Sequence, residues 1–343
     1  MRVGIHVGHW RRKPADLTAV ALEAERAGLD SVWTSEAWGS DGLVLLTWIA
    51  SHTRRVGVGT GILQIPARTP ASVAMGAITL DHLTGGRFRL GLGTSGPQVA
   101  EGWYGQSFQR PLERSEEYVR IVRAVLAREQ PLRFEGNHYR LPIAEGTGLG
   151  KALKSEVVPL RQGLPIYLAA MGLKNVELAG RVADGWLPLF YSPERHTIFE
   201  TALARGLEAS ERSFEGFDIA PVVPLAIGND LSECLAELRE IVSRYIGGMG
   251  ARGSNFYNLL VRSYGYEDAA EHVQSLFLEG RRSEAMAAVP DALVDEICLA
   301  GPVGRIRERL ELWAGAGVTT LLGRTQDAAT VRMLAEAAAD YVG

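Results

Sequence analysis

The stretch Phe88-Arg89-Leu90-Gly91-Leu92-Gly93-Thr94-Ser95-Gly96 decides how the rest of the chain is read. Residues 91–96 spell G-x-G-x-x-G directly after an apolar run, the spacing of a dinucleotide-binding turn. A Rossmann turn of that kind belongs to the first strand-turn-helix unit of its domain, with its third glycine already inside a helix. Here the motif closes the fourth predicted strand, and Pro97, Gln98, Gly102 and Gly105 follow it. The next periodic helix begins only near Leu112, and no strand ends about 20 residues on in the acidic residue that a ribose requires. The glycines therefore read as room for a cofactor's ring or backbone at the end of a barrel strand. A tight turn without a ligand is the plainer alternative.

Outward from this stretch, short β-type runs alternate with amphipathic helical stretches. A strand is predicted over 3–7, then a helix over 15–27, where Leu17, Val20, Ala21, Ala24 and Ala27 share a face. Strands over 31–36, 56–63 and 87–94 are separated by helices over 43–51 and 70–83, the second with Pro70 at its start, where proline suits a helix. A helix over 112–128 leads into an irregular stretch over about 130–163. Strands over 166–170, 185–190, 218–227 and 319–323 then alternate with helices over 174–182, 193–210, 303–314 and 328–341, with a long helical region over 231–289. Eight strands separated by helices imply parallel pairing through right-handed crossovers. In a chain of 343 residues they predict a single (β/α)8 TIM barrel over 1–343, with insertions near 130–163 and 231–300. Rhythm alone does not distinguish it from an open doubly wound sheet.

Composition narrows the function classes. Hydrophobic residues make up 46% and charged residues 22%, as in a globular protein with a filled core. With 36 Lys and Arg against 40 Asp and Glu, the net charge of −4 gives no basic face, so nucleic acid is not an expected partner. The two cysteines, Cys234 and Cys298, lie far apart and outside any C-x-x-C, which argues against a disulfide framework or thiolate metal site and for a reducing compartment. No run approaches the roughly 18 apolar residues of a membrane span, and the N-terminus reads at once as a strand, without a signal peptide. The expected location is cytoplasmic. No H-E-x-x-H, P-loop or nucleophile elbow occurs, and no metal site is expected.

Five stretches carry a family resemblance. They are TGILQIPARTPASVAMGAITLDHLTGGRFRLGLGTSGPQVAEGWYG (60–105), SVWTSEAWGSDG (31–42), IYLAAMGLKNVELAGRVADGW (166–186), YIGGMGARGSNFYN (245–258) and GPVGRIRERLELWAGAGVTTLL (301–322). In order and over nearly the whole chain they resemble the luciferase-like (β/α)8 oxidoreductases. The closer resemblance is to the branch that uses the deazaflavin coenzyme F420, related to methylenetetrahydromethanopterin reductase. It implies an enzyme moving a hydride between F420 and a small organic substrate, and a homodimer. A reduced-FMN monooxygenase on the same fold and a non-catalytic cofactor-binding protein are the alternatives.

The resemblance also implies site residues. Gly61 and Ile62 end the third strand where relatives carry a non-prolyl cis peptide in a bulge that backs the cofactor ring. Glu36 ends the second strand, where relatives place a carboxylate beside the deazaflavin, which makes it, with His6, a candidate catalytic acid or base as well as a cofactor ligand. Its plainer reading is a salt bridge to Arg68. Ala37 stands where the sugar-phosphate dehydrogenase branch has a catalytic histidine, which argues against that activity. His6 occupies a position where the methanopterin reductases have a carboxylate. Strand alternation puts it on one face with Gly4 and Gly8, and it reads either as a proton donor near neutral pH or as a hydrogen-bonded core histidine. Gly93, Thr94 and Ser95 would meet the cofactor's side chain. Ala169, Ala170, Met171, Gly172 and Lys174 stand where relatives hold its phosphate, at a helix N-terminus suited to anions, although Leu173 replaces the usual proline there. Trp38, Trp103, Tyr104 and Trp186 are candidate aromatic walls. Gln98, Glu101, Arg252 and the glycines at 247, 248 and 250 are weaker candidates for a substrate loop or lid.

Overall fold

The computed structural model describes residues 1–10 and 16–342. The predicted helix start at Ala15 lies outside them. Eight parallel strands form the centre: β1 (Arg2–Gly8), β2 (Ser31–Thr34), β3 (Gly57–Thr60), β4 (Phe88–Gly93), β5 (Ile166–Leu168), β6 (Gly185–Trp186), β7 in two pieces (Asp218–Ile219 and Val222–Ile227) and β8 (Thr320–Arg324). Each pairs with its neighbour in chain order, and β8 returns to β1 with Thr320 opposite Arg2 and Arg324 opposite His6. The ring closes through β7. Its amides at Asp218, Ala220 and Val222 bond to the β6 side, while Ile219 and Pro221 accept amides of Thr319 and Leu322. The sheet is a closed parallel α/β barrel, and the open doubly wound alternative falls.

The inside of the barrel is filled by two large aromatic residues facing glycines. Trp33 and Tyr167 meet edge to face at 5.2 Å, joined by Leu187, Ala220, Val222 and Leu322. A Cβ on Gly59 would lie 2.4 Å from the Trp33 ring and one on Gly185 2.4 Å from Tyr167, so only glycine leaves the volume those rings take. The polar tips are satisfied: Trp33 Nε1 donates to Ser31 Oγ at 2.9 Å and Tyr167 Oη to Asp218 at 2.8 Å. A second, larger core lies between the strands and the surrounding helices.

Three differences from the predicted elements have physical causes. The long helical region after β7 is five helices, Leu231–Gly248, Phe256–Ser263, Glu267–Leu278, Arg282–Ala287 and Asp291–Ile297. A strand, Leu299–Gly301, then pairs with Leu225, Ala226 and Ile227 where β7 runs on past the barrel rim. Three residues are too few to show a period of two. The stretch over about 130–163 holds one small antiparallel pair, Phe134–Glu135 with Arg140–Leu141. Finally, a four-residue helix, Pro97–Ala100, follows β4 at once, with Gly96 as its N-cap.

Candidate active site

The C-terminal ends of the strands converge on one feature, an irregular turn between β3 and a short strand, Leu63–Gln64. The Gly61–Ile62 peptide bond in it is cis. Three chain segments grip this turn. The Gly61 amide donates to the Thr34 carbonyl at 2.6 Å, the Ile62 carbonyl accepts the Glu36 amide at 3.3 Å, and the Gly61 carbonyl accepts from His6 Nε2 at 2.7 Å. Gln64 then reaches across to β4 and donates to Ser95 Oγ at 2.8 Å. Ser95 sits at φ 60°, a left-handed conformation that turns its hydroxyl toward the bulge side.

The two residues singled out as catalytic are both committed to this turn. Glu36 is buried, and its carboxylate accepts the Gln64 amide at 2.9 Å, the Gly42 amide at 3.1 Å and Arg68 Nη1 at 2.5 Å. Arg68 also pairs with Asp41, which caps the helix Gly42–His52, and its carbonyl accepts the Tyr118 hydroxyl at 3.1 Å. The plainer reading of Glu36 is therefore the geometry observed: a carboxylate with three donors, holding the ends of β2 and β3 together.

His6 is buried, and burial first, then the Arg324 guanidinium, push its imidazole down to a pKa of about 3. The ring is neutral at physiological pH, so it does not meet the expectation of a cationic proton donor there. Because a carbonyl only accepts, Nε2 carries the proton that bonds Gly61, and Nδ1 keeps a lone pair with no hydrogen-bond partner. A second buried acceptor without a partner, Gln64 Oε1, lies on the same bulge.

Gly93 and Ala169 form the wall opposite Ile62. A Cβ on Gly93 would lie 3.0 Å from Ile62 Cγ1 and 3.4 Å from the Ala169 methyl, so glycine keeps this wall low. Thr94 is half-buried, and its hydroxyl donates to the Ser95 carbonyl at 3.2 Å. Beyond β5, Ala170 is pinned through its carbonyl by Trp186 Nε1 at 2.8 Å, and half-buried Met171 packs on the outer core. Gly172 is the N-cap of the helix Leu173–Val182 and supplies no side-chain cap. Its carbonyl accepts the Asn175 and Val176 amides at 2.8 and 3.0 Å, leaving the first-turn amides at Leu173 and Lys174 facing outward as helix starts do. Lys174 is exposed beside them.

The weaker candidates divide. Trp38 and Trp103 are exposed at the mouth, and the Tyr104 hydroxyl donates to the Ala37 carbonyl at 3.4 Å. Trp186 is no wall: it is fully buried on the helix side, against Tyr191 and Phe199. Glu101 is exposed and accepts the Phe108 amide at 3.1 Å, and Gln98 is exposed. Gly247 and Gly248 lie within a helix, where a Cβ would come within 2.5 Å of Phe277; they serve close helix packing rather than a lid. Arg252 is exposed.

Residues the sequence reading passed over complete the mouth. Arg324 ends β8 half-buried, and its Nη1 donates to the Tyr245 hydroxyl at 3.3 Å. Tyr245 meets Tyr257 edge to face at 4.6 Å, and both meet Phe190. In the sequence, only the strand-end position of Arg324 and the Gly-rich neighbourhood of Tyr245 and Tyr257 point to them.

Comparison with known proteins agrees with this architecture. A protein of Mycobacterium tuberculosis named "Putative coenzyme F420-dependent oxidoreductase" is 46% identical over 340 residues, covering 98% of each chain. The 5,10-methylenetetrahydromethanopterin reductase of Archaeoglobus fulgidus is 25% identical, covering 87% of this chain and 86% of its own. The solved coenzyme F420-dependent tetrahydromethanopterin reductase of Methanopyrus kandleri superposes over 100% of both chains with a TM-score of 0.82 at 18% identity. The model of the luciferase-like monooxygenase family matches residues 2–320. By that match and the barrel that carries it, the chain belongs to the luciferase-like monooxygenase family.

Proposed function

We propose that the protein is a coenzyme F420-dependent oxidoreductase that exchanges a hydride between the deazaflavin and a small organic substrate. The observation that carries the reading is the Gly61–Gln64 bulge, gripped by Thr34, Glu36 and His6 and facing a low wall at Gly93 and Ala169. It is supported by the relative that shares 46% of its residues over the full length and is named for F420.

The residues present fit such a cofactor. Two buried acceptors without partners, His6 Nδ1 and Gln64 Oε1, suit a heterocycle rich in N–H and O–H donors. The uncapped helix start at Gly172, with Lys174 next to it, suits the phosphate of the cofactor's side chain. Thr94 and Ser95 offer hydroxyls between the two. When bound, F420 supplies a carbon centre that gives or takes two electrons as hydride. The protein's own work is orientation. The bulge would back a bound ring, Glu36 and Arg68 lock the bulge to β2, and neutral His6 holds the Gly61 carbonyl without adding a charge there. His6 and Glu36 are thereby positioning residues. A reduced-FMN monooxygenase is the second reading, favoured by the family's name.

We also place the protein in the cytoplasm as a homodimer. Both cysteines are free and buried. Val44, Trp48, Met75 and Leu83 are 60–70% exposed on the neighbouring helices Gly42–His52 and Pro70–Thr84. An apolar face of that size is what a second copy would cover. No described helix is long and apolar enough to cross a membrane.

Anaerobic loss of reduced F420 across a panel of ketones, enones and imines tests the reading. Turnover with at least one acceptor, without oxygen uptake when reduced FMN is supplied instead, is the expected result. Substrate-dependent oxygen uptake with reduced FMN would favour the second reading.

A further inference from the structure

We propose that Arg324 forms an anion subsite beside the ring platform, so that the organic partner in the hydride exchange carries a carboxylate on an apolar body. The inference rests on the proposed oxidoreductase function and adds the class of its substrate. Arg324 sits at the C-terminal end of β8, in register with His6 on β1, and its Nη2 lies 4.0 Å from where a Gly8 Cβ would be. Its side chain therefore reaches the C-terminal end of β1, at the same rim of the barrel as the Gly61 turn.

Arg324 has no counter-ion among the described residues, although it stands half-buried at the rim next to His6. Several partly buried arginines are paired with acids: Arg68 with Glu36 and Asp41, Arg89 with Asp30, Arg161 with Asp81 and Arg305 with Asp295, whereas, among the described residues, Arg114, Arg128 and Arg212, away from His6, are not. Arg87 has no acid but spends its donors on the carbonyls of Thr84, Val56, Ala50 and Thr53. Arg324 has one recorded acceptor, the Tyr245 hydroxyl, and among the described residues no carboxylate pairs with it. The groups around it do not cancel its charge: His6 is neutral, and burial pushes the Tyr257 phenol well above its usual range. The carboxylates Glu36 and Asp41 at this end of the barrel already belong to Arg68.

A guanidinium taken partly out of water without a partner is costly, and a ligand that brings a carboxylate removes the cost. Its planar fork suits two parallel hydrogen bonds to such a group. The half-buried rings of Tyr245 and Tyr257, both packed on the fully buried Phe190, then suit an apolar remainder rather than a sugar or polyol.

The test uses the full-length protein saturated with F420 and two isosteric probes, benzoate and benzamide, titrated by calorimetry. Benzoate is expected to bind at least ten-fold more tightly than benzamide. Arg324→Met should abolish that preference and Arg324→Lys should keep part of it, both with F420 affinity within two-fold of the unchanged protein. Equal binding of the two probes, no saturation by benzoate, or an intact preference in Arg324→Met would overturn the subsite. So would a large loss of F420 affinity in Arg324→Met, which would assign the guanidinium to the cofactor. Should the protein take FMN instead of F420, the function reading fails by itself, and the same probe comparison on the FMN-loaded protein still decides the subsite.

Discussion

His6 illustrates how a residue's chemistry depends on what folding brings to it. In the sequence it is an imidazole two residues from glycine on either side, able to titrate near neutral pH. In the fold its proton is directed at the Gly61 carbonyl and its pKa falls from 6.5 to about 3. Between those values the unfolded chain binds a proton that the folded chain does not, so stability drops as pH falls through that window. The steepest contribution is about 1.4 kcal/mol per pH unit for one such group. His6→Gln, which offers an amide to the same carbonyl, removes this contribution. Denaturation followed from pH 7 to pH 4 should show a shallower loss of stability in the variant; an unchanged slope would mean that His6 titrates normally in the fold. Glu36 teaches the same lesson. Its strand-end position was legible, but its partners lie 6, 28 and 32 residues away and only the closed barrel assembles them.

At the scale of elements, the alternation of strand and helix was legible because β7 and its seven companions each bury an apolar run between helices. The strand Leu299–Gly301 was not legible, because its pairing depends on β7 extending beyond the rim. In the GLGTSG stretch the three glycines have three different roles. Gly91 is a packing glycine: a Cβ on it would lie 1.8 Å from the Thr60 carbonyl and 2.8 Å from Leu187, while its amide and carbonyl both bond the Thr60 hydroxyl. Gly93 forms the wall, and Gly96 caps the short helix that follows. Since backbone on β3 cannot yield as a side chain does, Gly91→Ala should cost about 3 kcal/mol or more. A urea midpoint close to that of the unchanged protein would show that β3 and β4 have slack that the geometry denies.

At the scale of the whole molecule, the barrel turns one end into a site and one flank into an exposed apolar face. That face follows from sequence in retrospect: the helix Gly42–His52 is apolar on nearly every side, and a helix of that kind is covered on every side. If a second copy packs on Trp48 and Met75 as proposed, the protein sediments as a dimer at micromolar concentration. Trp48→Asp should shift it to the monomer with its circular dichroism unchanged. A monomeric unchanged protein, or a variant that stays dimeric, would remove this face as the interface. Charge was the least legible property at this scale, since a net of −4 conceals the unpaired Arg324 at the mouth.

The central claim is that this mouth is built for a deazaflavin. Its most direct test is equilibrium binding of the purified protein to oxidised F420 and, separately, to FMN, followed by fluorescence quenching. The expected result is micromolar or tighter binding of F420, at least ten-fold weaker binding of FMN, and about ten-fold weaker F420 binding in Lys174→Ala, the roughly 1.4 kcal/mol of one charge-assisted phosphate contact. Tighter binding of FMN than of F420 would contradict it.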